Sequence, residues 1–255
     1  MSRLSTACLL LVALAVSQCP ADQVTSVTIM EGTPYATKLY ERESGVPGPT
    51  VVIIGGLHGN EPAGYLAARR IANWKCLSGR LVVLPEAHIE AIRRKVRAYP
   101  GNMNSLFPGK ADGTAMERLA FEIWRKAVVA YRPDVLITLH ESLDFHALDP
   151  NRYGQSLVYD FRELDPLMQR ALDRANPDIP RGLHQFVLFP KAFPGCPTYA
   201  AWKFLRVPAT SIETSRTLDL ETRIRYQLML CMAFLDEFGM DYLQQDVAYL
   251  RTRGR

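Results

Sequence analysis

Three places in this 255-residue sequence join an apolar run to residues that bind metal or move protons. They read Gly55-Gly56-Leu57-His58-Gly59-Asn60-Glu61, Leu139-His140-Glu141 and Ile212-Glu213-Thr214. His58 and Glu61 stand three apart, so in a tight turn or a first helical turn their side chains converge on one ion. With His140 they form a His2Glu donor set, which zinc uses when its fourth position stays open to water. Zinc held in this way lowers the pKa of that water and polarises a carbonyl. A carboxylate must still take the water's proton and hand it to a leaving nitrogen, and Glu213 is the candidate. The expected chemistry is hydrolysis of an amide bond, with one zinc ion per chain.

Each piece has a plainer reading as well. An HxxE pair can be a surface pair, His140 a satisfied core histidine and Glu213 a helix cap. The Gly-Gly turn suits a phosphate cradle too, but it lacks the GxGxxG spacing and puts His58 where that motif needs glycine. Coincidence at three separate strand ends favours the joint site, because open α/β sheets place ligands at the carboxyl ends of their strands.

The elements that must position these residues follow from hydrophobic patterning. Continuous apolar runs at 51–54, 81–84, 135–139 and 209–212 predict buried strands of a parallel or mixed sheet. Residues 65–74 have helical spacing, so 51–84 reads as a strand-helix-strand unit. Residues 24–30 and 35–40 predict two shorter strands around the Gly32-Thr33-Pro34 turn. Residues 93–110, broken by glycine and proline, predict a long loop. A helix is expected over 117–130 with Leu119, Ile123, Ala127 and Ala130 on one stripe, and a long amphipathic helix over 220–238. With no internal repeat or linker, the expectation is one α/β domain over residues 22–245, a mixed and largely parallel sheet flanked by helices.

These strings resemble a known family, the succinylglutamate desuccinylase and aspartoacylase branch of the zinc carboxypeptidase superfamily. The string from Gly55 through Glu61 to Pro62-Ala63-Gly64 is similar to its first metal motif, and Leu139-His140-Glu141-Ser142 to its strand with the third ligand. Between them, Asn102-Met103-Asn104-Ser105-Leu106-Phe107-Pro108-Gly109 and Glu117-Arg118-Leu119-Ala120 resemble the family's DLNRxFPG segment and the helix behind it. The resemblance implies a zinc carboxypeptidase-like fold, His58, Glu61 and His140 as zinc ligands, and Glu213 as general base and acid. Arg97, seven residues before Asn104, matches the arginine that polarises the scissile carbonyl, and Asn104 matches a grip on the substrate carboxylate.

One departure bears on the substrate: the family's arginine after that asparagine is Ser105 here. A serine hydroxyl cannot replace the fork of a guanidinium on a carboxylate. Either Arg216 supplies the charge or the subsite holds no carboxylate, and the change in the motif itself leans toward the second. Tyr199 is a candidate for a tyrosine that covers substrate, and His146 for a cleft or supporting residue.

Composition narrows the class. Forty-eight per cent hydrophobic and 22% charged residues describe an ordinary globular chain. The 30 basic and 26 acidic residues are spread along it, which excludes the basic stripe of a nucleic-acid reader. Arg3 followed by the apolar run 7–16 predicts a secretory leader over 1–21, too short to span a bilayer, and residues 246–255 a basic tail. A secreted or periplasmic enzyme is expected, without a membrane span in the mature chain; acylation at Cys19 is the alternative. Cys76, Cys196 and Cys231 show no CxxC or disulfide pattern. The substrate expected is a small molecule or peptide: an N-acyl amino acid, or a peptide trimmed at its C-terminus by a metallocarboxypeptidase. The rivals from other classes are a non-catalytic zinc or ligand-binding module and a nucleotide binder.

Overall fold

A computed structural model describes residues 23–244; the expected leader and basic tail lie outside them. In chain order the strands are β1 (Gln23–Ile29), β2 (Thr37–Glu43), β3 (Thr50–Ile54), β4 (Lys75–Cys76), β5 (Arg80–Leu84), β6 (Val135–Ser142), β7 (Ser156–Tyr159), β8 (Val187–Pro190), β9 (Ala209–Ser215) and β10 (Tyr242–Leu243). The helices are α1 (Pro62–Ile71), α2 (Ile89–Arg94), α3 (Ala115–Ile123), α4 (Asp165–Ala175), α5 (Pro197–Ala200) and α6 (Leu220–Glu237).

Eight strands form one mixed sheet in the order β1-β2-β5-β3-β6-β9-β7-β8, and β4 pairs with β10 apart from it. The centre, β5-β3-β6-β9, is parallel. The two ends carry antiparallel joints, β2 on β5 and β7 on β9. Helices on both faces explain why the central strands are apolar throughout. Val51 and Ile53 face a core completed by α1, α4 and α6. Val52 and Ile54, pointing the other way, face a second core built on α3 and the turns after it.

Several elements differ from the sequence reading in ways that matter to the site. The third and fourth buried strands run on past their apolar cores, so His140 and Glu213 lie inside β6 and β9 rather than after them. Helix α1 begins at Pro62, three residues early, because proline at the first helical position needs no N–H partner. Helix α3 starts on a capping box between Thr114 and Glu117 and then widens to π winding over Trp124–Val129. The wider turn rotates the expected stripe, leaving Ala130 exposed and burying Val128.

Helix α6 is not amphipathic: every residue from 224 to 231 is buried, which covers its whole circumference. The expected loop 93–110 begins in the last turn of α2 and is pinned by a 3-10 turn at Met103–Ser105, whose Met103 is fully buried. Cys76, Cys196 and Cys231 are buried, and Cys196 and Cys231 are free thiols.

Candidate functional site

The turn after β3 places the first two donors. Gly56 takes φ +68°, a conformation that favours glycine, and a Cβ on Gly59 would lie 2.0 Å from the backbone carbon of Ala91. The turn can therefore press onto α2 and hold His58 inward. Glu61 follows at the N-cap of α1. A Cβ on Gly64 would stand 2.6 Å from the Leu139 carbonyl oxygen, so α1 packs hard against β6 one residue before His140. These contacts bring sequence positions 58, 61 and 140 together.

One ligand atom from each of His58, Glu61 and His140 lies within 4.8 Å of the others, and all three residues are buried. His140 Nδ1 is 3.0 Å from Glu61 Oε2, which also accepts the Glu141 N–H at 3.1 Å. Burial opposes charge on Glu61, but the two histidines outweigh it and hold its carboxyl below the ordinary carboxylate range. Burial likewise opposes charge on His140, and the Glu61 carboxylate overcomes it to raise the imidazole pKa. His58 goes the other way: burial lowers its pKa despite Glu61.

His58 tests whether a metal fits. Its Nδ1 is 2.9 Å from Glu61 Oε1 in a geometry that makes no hydrogen bond, and neither ring nitrogen has a hydrogen-bond partner. A buried, unpartnered, neutral imidazole is costly, and its free lone pair is what a cation takes up. Two histidines and one carboxylate are also a zinc-type donor set. The group therefore fits a metal ion, with His58, Glu61 and His140 as its holders.

Around this centre the other expected residues fall into place unevenly. Glu213 sits in register with His140 on the neighbouring strand and lines the same cavity of about 590 Å³. Burial is the main cause that pushes its carboxyl up to about 8, with Glu61 and Glu141 adding to the rise and His140 and Arg97 opposing it. Arg97 reaches Glu61 Oε1 at 2.8 Å while its side chain stays 58% exposed, so it is anchored at the centre and open to the cavity. Asn104, Ser105 and Arg216 also line the cavity.

Two candidates do not reach it. Tyr199 stacks on Phe161 with ring centroids 5.5 Å apart, and it is not part of the lining. Its position near Glu213 in sequence is undone by α5, which turns the ring away. His146 bonds the Arg152 carbonyl at 2.8 Å through Nδ1 and packs on Phe189, outside the lining. Aromatic surface comes instead from Tyr153 and Phe193, which sequence reasoning passed over along with Asn60 and Arg152. Asn60 stands inside the first motif, so its position was available as a clue; the other three sit in segments without a recognisable pattern.

Glu141 is committed elsewhere. One of its oxygens pairs with Arg223 and the other accepts the Ala63 N–H at 3.2 Å, which ties β6 to α1 and α6. The Glu141 side chain is fully buried, and burial raises its pKa. Arg223→Ala should therefore destabilise the protein by roughly 3–5 kcal/mol, since it strands a buried charge. Urea denaturation checks this, and a cost under about 1 kcal/mol would show that the pair is not structural.

A largely parallel α/β sheet gathers a buried His-Glu-His group that fits a metal ion at the carboxyl ends of its strands. A family model, the succinylglutamate desuccinylase/aspartoacylase catalytic domain, matches residues 47–179, just over half of the sequence, and the chain belongs to that family. An N-alpha-acetyl-L-2,4-diaminobutyric acid deacetylase of Halomonas elongata is 31% identical over 134 residues, which are 50% of this chain and 37% of that protein.

Among solved structures, the tripeptide-bound cell shape determinant Csd4 of Helicobacter pylori superposes with a TM-score of 0.74 at 19% identity, covering 82% of this chain and 57% of Csd4. The product-bound ectoine utilization protein EutE (DoeB) of Ruegeria pomeroyi gives 0.65 at 18% identity, over 87% of this chain and 69% of that one. This chain thus spans little more than a third of the deacetylase and just over half of Csd4. At such identities the superpositions speak for the fold, which is the zinc carboxypeptidase-like sheet that the sequence led us to expect.

Proposed function

We propose that this chain is a zinc-dependent hydrolase of amide bonds, acting on an N-acyl amino acid or a short peptide outside the cytoplasm. The observation that carries the reading is the buried His58, Glu61 and His140 group facing Glu213 across one cavity. Bound there, zinc would polarise the scissile carbonyl and acidify a water. Glu213 is the proton carrier: burial raises its pKa above the ordinary carboxylate range, which makes its carboxylate a stronger base toward the water, and the carboxyl so formed hands the proton to the leaving nitrogen. Arg97, anchored on Glu61 and open to the cavity, supplies positive charge where the carbonyl oxygen gains negative charge.

Likeness to a deacetylase in sequence supports the deacylase form of this reading, and a Csd4-like fold keeps peptides among the substrates. We place the catalytic unit at residues 22–245, after a leader over 1–21 and before a basic tail over 246–255. Export rests on the positive start and short apolar run of that leader. A binding module without turnover would have no use for a carboxylate at position 213 facing the metal group.

The test is metal analysis combined with hydrolysis assays on N-acetyl amino acids and short peptides. Purified protein should carry about one zinc per chain; chelation should abolish hydrolysis and added zinc restore it. Hydrolysis that persists after the metal is stripped would refute the reading.

A further inference from the structure

The charges lining the cavity are unequally satisfied. Glu61 is shared by His58, His140 and Arg97, and Glu141 is held by Arg223. Arg152 reaches Asp149 at 3.4 Å. Arg216, in the wall of the same cavity, makes no ion pair with any described residue, and its Nε is buried without a hydrogen-bond partner. Its backbone N–H donates to the Ser142 carbonyl at 2.9 Å, which fixes the root of the side chain where β6 and β9 end, three positions beyond Glu213. A buried guanidinium N–H with no acceptor carries a desolvation cost that a carboxylate would remove with a strong, charge-assisted bond.

Position 105 offers no such charge. The Ser105 hydroxyl donates to the Asn102 carbonyl at 3.0 Å, so it is turned into its own 3-10 turn. Its carbonyl lies 2.4 Å from where a Cβ of Gly195 would be, which packs this turn against the 193–196 loop. Neighbouring Asn104 keeps a buried Oδ1 with no donor, and Asn60 does the same. Apart from the His58 ring nitrogens at the metal group, the buried polar atoms of the lining left without partners among the described residues are one cationic donor and two amide acceptors.

We propose that Arg216 binds a free carboxylate of the substrate and that Asn104 Oδ1 accepts an N–H from the same part of the molecule. The inference rests on the amide hydrolase reading and sharpens it: the substrate is an amide bearing a carboxylate and an N–H donor close to the scissile bond, as in an acylated amino acid or a peptide C-terminus. It reverses the lean toward a subsite without a carboxylate that Ser105 alone suggests. The clamp has moved from the loop to the end of a strand.

The experiment compares N-acetyl amino acids and short peptides as free acids and as their C-terminal amides, in wild type and in Arg216→Ala and Arg216→Lys, all zinc-loaded. Wild type should prefer the free acid by about tenfold or more in kcat/KM, Arg216→Ala should bring the ratio near one, and Arg216→Lys should keep part of it. Equal kcat/KM for acid and amide in wild type, or a preference that survives in Arg216→Ala, overturns the clamp. Calorimetric binding of the same pairs separates the two readings. If nothing in the panel is hydrolysed, the hydrolase reading fails, while a binding preference for the acid that depends on Arg216 still upholds the clamp and equal binding overturns it.

Discussion

Replacing Glu213 with glutamine should lower turnover by about a hundredfold or more while the bound zinc stays. Glutamine keeps the shape and the polar contacts of the side chain and removes only its ability to take a proton. The residue faces the His58, Glu61 and His140 group from the neighbouring strand without being one of its members, so metal content should not follow activity. The pH profile adds a second readout. Glu213 accepts a proton only as the carboxylate, so activity should rise with pH through its pKa and that limb should vanish in Glu213→Gln.

Burial sets that pKa near 8 in the metal-free protein. A divalent cation close by favours the charged form, so the limb in the zinc enzyme should fall lower, between the ordinary carboxylate range and 8. Glu141, the next carboxylate along β6, is a poor substitute because Arg223 and the Ala63 N–H occupy its two oxygens. Steady-state kinetics across pH, with metal analysis of each sample, decides the matter. Turnover like that of wild type would mean that another group moves the proton.

The parts of this site that were legible in the sequence are those whose position follows from strand ends. Val51 to Ile54 is buried on both faces, so it reads as an unbroken apolar run, and the turn after it could only carry His58 and Glu61 to the carboxyl edge. The same logic marked His140 and Glu213, although both strands extend further than their apolar cores because Ser142 and Ser215 are buried polar residues that still pair in the ladder. The strands β7 and β8 and the helix α4 between them went unpredicted. Each strand is four residues long, below the length at which periodicity separates strand from loop.

Side-chain destinations were the least legible layer. Tyr199 and Arg216 looked alike as polar residues near Glu213, yet α5 packs one ring onto Phe161 while the end of β9 leaves the other side chain in the cavity wall. Nothing local distinguishes them, because the outcome depends on which element each is mounted on. Whether Arg216 has an ion-pair partner is likewise a property of the assembled cavity, since every acid near it could have been placed otherwise.

The metal centre yields the second large effect. His58→Ala and His140→Ala should each empty the zinc site and reduce hydrolysis by about a hundredfold or more, because three donors with an open fourth position leave no ligand in reserve. Zinc that binds only the folded state raises its stability by mass action, so wild type should melt at a higher temperature when zinc is added and neither variant should. The metal-free proteins should not behave alike. His58 stands 2.9 Å from Glu61 without a hydrogen bond, so its removal takes a polar neighbour from Glu61 but no hydrogen bond. His140 bonds Glu61 at 3.0 Å, and its loss takes one partner from a fully buried carboxylate. Without zinc, His140→Ala should therefore be the less stable variant, and acid should narrow the difference as Glu61 is protonated. Metal analysis and melting curves with and without zinc read out both effects. Stoichiometric zinc retained in both variants would remove the assignment, whereas zinc lost from His140→Ala alone would move His58 from ligand to neighbour.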